Sequence, residues 1–154
     1  MHDWALYRTI VRMGMVRTTD SYDEVPYPSA PIRWAHPAHL ATVAHLFGVT
    51  PPSLRGARVL ELGCADGGNV IPLALTLPDS ELVGIDRSVV QVEAAARTAR
   101  ELGLGQIDLR AADLTTIDAG YGDFDFIVCH GVYSWVPAPV QDAILRICKA
   151  RLRP

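Results

Sequence analysis

The sequence has little of what marks a metalloprotein, a membrane protein or a nucleic-acid binder. Its three cysteines are an odd number, and Cys64, Cys129 and Cys148 stand too far apart for a metal-type pair. That usage predicts a reduced, cytoplasmic chain. Among five histidines, His36 and His39 lie at i, i+3, but no cysteine or acid sits at zinc spacing from them, so no metal is expected. No apolar run approaches the roughly 18–20 residues of a membrane span, and the N-terminus lacks a compact signal-peptide core. A membrane partner is therefore not expected. Nor is there a surplus of charge of one sign. The formal net charge is −3, which supplies no global attraction to nucleic acid or to an anionic membrane surface. The cluster Arg146, Lys149, Arg151 and Arg153 reads as a helix end whose cations favour the dipole. Internal repeats and low-complexity segments are absent.

What is present is an ordinary globular composition over one domain's length, 154 residues with 49% hydrophobic and 20% charged. Residues 1–20 show little periodicity and are expected to form a loosely ordered extension. Residues 21–31 hold three prolines and two tyrosines, which excludes a regular helix. Such an arm serves either as a lid or as a linker packed on the surface. His36-Pro37 then opens a helix with Leu40, Val43, Ala44 and Phe47 on its predicted inner face and Gly48 as its stop.

From Arg58 a strict alternation begins. Strand one is predicted at 58–62, a helix near 68–77, strand two at 81–86 and a helix ending before Gly103. Strand three follows at 106–111, strand four at 124–130 and a last helix near 139–152. This is an α/β pattern of right-handed βαβ units, hence a Rossmann-like parallel sheet. Strand four has a continuous apolar core, as a strand covered on both faces should. Strand three alternates apolar and polar residues, as an edge strand does. The predicted order is therefore 3-2-1-4.

The stretch Val59–Val70 carries the chemistry. An apolar strand holding Glu61 breaks into the turn Gly63-Cys64-Ala65-Asp66-Gly67-Gly68 and leads into a new helix. Glycines permit close backbone approach, and the first amides of the helix are free to donate. In such sheets ligands bind beyond the carboxyl ends of the strands, where strand order reverses. The same end collects Asp86, Asp113 and the segment His130–Trp135. Asp86 is placed to accept hydrogen bonds from ribose hydroxyls, and Asp113 to accept from an adenine amino group.

Glu61-Leu62-Gly63-Cys64-Ala65-Asp66-Gly67 resembles motif I, E-x-G-x-G-x-G, of the class I S-adenosylmethionine-dependent methyltransferases. Val83–Asp86, Ala111–Leu114 and Phe124–Val128 resemble its next three motifs, in order. Ala65 departs from the usual glycine, which matters if the position needs positive φ. Tyr22–Tyr27, His36-Pro37, Leu46–Gly48 and His130–Pro137 narrow the resemblance to bacterial methyltransferases with a further regulatory domain, a group that includes protein-lysine methyltransferases. No Asn/Asp-Pro-Pro-Tyr/Phe follows strand four, so a nucleic-acid acceptor of the amino-methylating kind is not expected.

The resemblance implies S-adenosyl-L-methionine as cofactor. Its binding residues would be Glu61, Gly63, Cys64, Ala65, Gly67, Asn69, Asp86, Arg87, Asp113, Leu114 and His130, with His130 and Tyr133 assisting catalysis. Glu61 would orient the methionine amino group, the amides of Gly63, Cys64 and Gly67 its neighbouring atoms, Asp86 the ribose, and Asp113 with Leu114 the adenine. A dinucleotide alternative would set a pyrophosphate beside Glu61 and Asp66, an unfavourable pairing. The methyl acceptor is left open, small molecule or protein. The family's sheet has seven strands, so residues 21–154 are expected to be the N-terminal part of a methyltransferase domain, truncated after strand four and its helix. Two readings follow: the cofactor-binding half of an enzyme, or an inactive binding module that needs a partner chain. A bare edge on strand four would favour self-association or a partner chain there.

Overall fold

The alternation is realised as a four-stranded, all-parallel sheet in the order β3-β2-β1-β4. In the computed structural model, which describes residues 29–154, β1 is Arg58–Leu62, β2 Glu81–Asp86, β3 Ile107–Ala111 and β4 Phe126–Val128. The helices are α1 (Pro37–Leu46), α2 (Val70–Thr76), α3 (Val89–Glu101) and α4 (Ala138–Arg151). The expectations for residues 1–20 and for Tyr22–Tyr27 lie outside the described residues.

β1 sits between two partners in register: Leu60 lies beside Val83 of β2 and Ile127 of β4. Its successive side chains therefore enter two different cores. Val59 joins Val70, Leu73, Leu82 and Ala95 on the face covered by α2 and α3. Leu60 and Leu62 join Val83, Ile85, Phe124, Ile144 and Ile147 on the face covered by α4. Burial on both sides explains why β1 is apolar after its half-buried first residue, Arg58, except at Glu61. β3, on the edge, has exposed Asp108 and Arg110 alternating with half-buried Ile107 and Leu109.

Three expectations need correction. The large residues of α1 do not face the core: Leu40 and Val43 are exposed and Phe47 is 82% exposed. The helix packs on the core through Ala41 instead, with Pro37 buried and Ala44, alone of the predicted face, half-buried; the three lie at i, i+4, i+7. His36 fixes that orientation. Its Nδ1 accepts the Ala38 N–H at 3.0 Å, and its Nε2 lies 3.0 Å from Thr76 Oγ1 on α2.

Second, β4 is shorter than the apolar run. Only Phe126–Val128 pair with β1, while Cys129 and His130 leave the ladder. Third, the predicted strand four is covered on its outer side at Phe124, just ahead of β4, while β4 itself remains the edge of the sheet. Leu152 forms a parallel bridge with Phe124, with Phe124 N–H donating to Arg151 O at 2.8 Å and Arg153 N–H to Phe124 O at 2.9 Å. Arg153 also pairs with Asp125 at 2.9 Å, and Arg151 with Asp123 at 3.3 Å. These pairings, with Arg146 donating to Thr115 O, occupy three of the four cations in the C-terminal cluster.

Candidate functional site

The site forms where β1 and β2 end and their loops meet. Gly63 and Cys64 both donate their N–H groups to the Ile85 carbonyl, at 2.7 and 3.0 Å. Asp86 Oδ2 accepts the Ala65 N–H and its Oδ1 accepts the Ser88 N–H, each at 2.9 Å. Gly67 N–H closes back on Cys64 O at 2.9 Å. Gly68 N–H goes to the Ser29 hydroxyl at 2.7 Å. Of the six N–H groups from Gly63 to Gly68, five are thus spent inside the protein. The turn is not the array of free donors that the motif suggests, and the amides of Gly63, Cys64 and Gly67 hold the loop rather than stand ready for a ligand. The physical reason is that β2 ends opposite the turn, offering Ile85 O and the Asp86 carboxylate as nearer partners.

Glycine is required sterically here. A Cβ on Gly63 would collide with Val132, and one on Gly67 (φ +85°) would come 2.7 Å from Ile71 Cδ1. Ala65, by contrast, occupies the left-handed region at φ 49°, the one described non-glycine residue with positive φ. The position does want glycine, and alanine tolerates it at a cost. Ala65→Gly is expected to raise stability by about 0.5–1 kcal/mol, the left-handed penalty less glycine's larger entropy. A urea titration checks this, and a lowered midpoint would refute the strain.

Glu61 is the most unusual residue of the site. It is 4% exposed, with Oε1 accepting the Asn69 Nδ2 donor at 2.9 Å and Oε2 buried with no hydrogen-bond partner among the described residues. Burial pushes its carboxyl up to about 7, the Asn69 bond opposes this, and the Asp86 charge adds to it. Cys64, 2% exposed, has its thiol pushed well above the ordinary range by burial and then by Asp86 and Glu61, so it is no nucleophile. Cys129 is pushed up to about 11, first by burial and then by Cys148.

The other predicted residues gather less tightly. Asp113 uses Oδ1 to accept from Thr115 N–H at 2.8 Å and Thr115 Oγ1 at 2.7 Å. These bonds, with the Arg87 charge nearby, hold its carboxyl below the usual range. Leu114 is nearly buried in the α4-side core. Asn69 is 4% exposed, and both ends of its amide are engaged, so it serves Glu61 from within the protein. His130 is exposed and Tyr133 is 42% exposed on a short 3-10 turn, Tyr133–Trp135. Among the described residues no hydrogen bond joins either side chain to the acids. Val132, packed on Gly63, brings that segment beside the glycine turn.

The end of the proline-rich arm, expected as a lid or a packed linker, continues into Ile32 and lies against the turn, but the contacts made by Ser29 and Ile32 were not among the expectations. The Ser29 hydroxyl donates to Asp66 Oδ1, and the Ile32 N–H donates to Asn69 Oδ1 at 2.8 Å. Gly68 was the available signal. A Cβ there would lie 2.5 Å from the Ser29 carbonyl carbon, so this second glycine makes room for the strap.

Among the described residues no group of three or more His, Cys, Asp or Glu could hold a metal ion, and no helix is long and apolar enough to cross a membrane. Comparison with known proteins is consistent in direction. A family model described as "Methyltransferase domain" matches residues 59–154. An uncharacterized protein of Rickettsia prowazekii is 46% identical over 139 residues, covering 90% of this chain and 25% of that protein. A second from the same organism is 42% identical over 142 residues, covering 91% of this chain and 57% of its own length. The ubiquinone biosynthesis O-methyltransferase of Xanthomonas euvesicatoria is 30% identical over 128 residues, 82% of this chain and 49% of that enzyme. The solved structure of PKMT2 from Rickettsia typhi in complex with AdoHcy superimposes with a TM-score of 0.81 at 41% identity, over 84% of this chain and 25% of that one. The chain therefore spans between a quarter and about three-fifths of the length of these relatives.

Proposed function

Because the chain belongs to the methyltransferase-domain family of S-adenosylmethionine-dependent enzymes, we propose that it supplies the cofactor half of a methyl transfer to an amine acceptor. The observation that carries the cofactor reading is the polarity of the turn. Five of its six N–H groups are spent, and what stands at its rim is mainly acceptor chemistry: Glu61, with a buried Oε2 that has no partner among the described residues, together with Asp66 and Asp86. That fits a group bearing an ammonium and a sulfonium, and it repels a pyrophosphate.

In this reading Glu61 orients the methionine amino group, partly through water. Asp86 accepts from the ribose hydroxyls while it pins Ala65 and Ser88. Asp113, with one oxygen already committed to Thr115, accepts from the adenine amino group with its other, beside Leu114 and Arg87. When bound, the cofactor supplies an activated methyl on sulfur, so the protein's part is positioning and exclusion of water. The segment after β4, from His130 to Trp135, frames the acceptor side. An amine acceptor must lose a proton before attack; we assign His130 to accept it, with the Tyr133 hydroxyl assisting as a hydrogen-bond partner.

For the acceptor, the resemblance to the bacterial group with a regulatory domain supports a protein lysine side chain. The O-methyltransferase relative makes a small-molecule hydroxyl the competing class. All three cysteines are free thiols, in keeping with a reducing, cytoplasmic setting.

Isothermal calorimetry tests the cofactor reading. S-adenosylmethionine and S-adenosylhomocysteine should bind saturably, and NAD should not. Tighter binding of NAD, or no heat with either adenosyl ligand at millimolar concentration, would sink it. Transfer of label from methyl-labelled cofactor to lysine-containing protein, and not to a quinol, tests the acceptor class.

A further inference from the structure

The strap and Glu61 share one side chain. Asn69 Nδ2 donates to Glu61 Oε1 at 2.9 Å, while Asn69 Oδ1 accepts the Ile32 N–H at 2.8 Å. The amide thus links a buried carboxylate on β1 to the backbone of a segment that lies over the glycine turn. At its other end the same segment is fastened through Ser29, whose hydroxyl bridges Asp66 Oδ1 and the Gly68 N–H. Gly68 leaves just the space that the Ser29 backbone fills. We propose that Asn69 is a positioning residue that couples occupancy of the cofactor site, sensed at Glu61, to closure of the Ser29–Ile32 strap over the glycine turn. The inference rests on the assignment of the cofactor's ammonium group to Glu61.

The physical argument is charge assistance. A hydrogen bond to an ionised carboxylate is roughly twice as strong as one to a neutral acceptor, and linked bonds polarise one another. An ionised Glu61 therefore holds the Asn69 amide firmly, with its carbonyl end presented to Ile32. A protonated Glu61 holds it weakly. Burial sets this carboxyl near neutrality, so an arriving ammonium group tips it fully to the ionised form. The groups that bear on Glu61 are few: Asp86 at the end of β2, and the thiols of Cys64 in the turn and Cys129 after β4. Both thiols are held neutral, so Asp86 is the single opposing charge among them. The linkage is reciprocal, since whatever tightens the strap on ligand binding also tightens the ligand when the strap is closed.

Amide hydrogen exchange at Ile32 on the full chain reads the coupling directly. Without ligand, and after correction for intrinsic rates, protection at Ile32 should rise between pH 5 and 8. In Glu61→Gln that rise should vanish. S-adenosylhomocysteine should slow Ile32 exchange by about tenfold, the worth of one well-made buried hydrogen bond. 5′-Methylthioadenosine, which lacks the amino-acid end, should not. In Asn69→Ala the response to S-adenosylhomocysteine should be lost. Ser29→Ala, which leaves Glu61 and Asn69 untouched, should lower basal protection and keep the pH response, which covers the case in which Asn69→Ala does not fold. Slowing by methylthioadenosine equal to that by S-adenosylhomocysteine would overturn the proposal. So would a pH response that survives in Glu61→Gln. Failure of the cofactor assignment would look different: no adenosyl ligand would bind, while the ligand-free pH response would still decide whether Glu61 and the strap are coupled.

Discussion

Replacing Asp86 by alanine is expected to abolish saturable binding of S-adenosylmethionine, a loss of at least about a hundredfold. Two effects add. Hydrogen bonds to a charged acceptor are worth about 1.5–3 kcal/mol each, and the assigned ribose hydroxyls would lose two. The carboxylate also holds the turn itself, taking the N–H groups of Ala65 and Ser88 at 2.9 Å each. Ala65 sits at φ 49° and has no conformational preference of its own to stay there. Without its tether the turn is free to relax away from the ligand. Asp86→Asn keeps one acceptor oxygen and removes the charge, so it should fall between, at about a tenfold loss. Asp108→Ala is the control. It carries the same charge change one strand away, exposed and paired with Arg110 at 2.5 Å, and should leave affinity unchanged. Calorimetry on the three variants decides the matter, and equal losses at Asp86 and Asp108 would refute the ribose assignment.

How much of this was legible in the sequence depends on the range of the forces involved. β1 and β2 were readable to the residue, because a strand buried on both faces is dominated by apolar residues and is bounded by turns. The order of the sheet followed from the alternation of β3, where Asp108 and Arg110 betray an edge. α1 misled because periodicity reports an apolar face without saying what covers it. Its inward side is Pro37, Ala41 and Ala44, of which Ala41 packs on the core, and small side chains like these weigh too little against Leu40, Val43 and Phe47 to set the predicted face. β4 misled in the opposite way. Its apolar run continues past Val128, but pairing stops where β1 itself gives way to the glycine turn.

At the site, the acids were identifiable by type and spacing, whereas the fate of the turn's amides was not. Which N–H groups remain free depends on how closely Ile85 O and Asp86 approach, a distance that only the packed sheet sets. The strap was legible as the end of an arm read as lid or linker, but its points of attachment were not. Ser29 and Ile32 are ordinary residues in a proline-rich segment, and only the unexplained second glycine at 68 pointed to them.

Glu61→Gln is expected to make the protein more stable and less able to bind its cofactor. The carboxyl is raised by burial from 4.5 to about 7. A raised acid binds more protons folded than unfolded, so its favourable contribution is complete below pH 4.5 and is lost as pH rises through 7. Above that point the fold carries the full cost of a buried charge with one unpartnered oxygen, about 3 kcal/mol for this shift. Glutamine preserves the shape and an acceptor for Asn69 but never ionises. Urea denaturation should therefore show the variant more stable by about 2–3 kcal/mol at pH 8 and nearly level with the parent at pH 4.5. The same change should weaken S-adenosylmethionine by about ten- to a hundredfold, because the charge that destabilises the fold is the charge that would receive the ammonium group. Binding to the parent should release protons between pH 5.5 and 7, to about one per ligand at most, and binding to Glu61→Gln should not. A stability gain independent of pH would place its origin in packing, and an unchanged affinity would remove Glu61 from the site. Opposite signs for the two measurements would mean that the fold retains a buried, strained carboxylate for the ligand's sake.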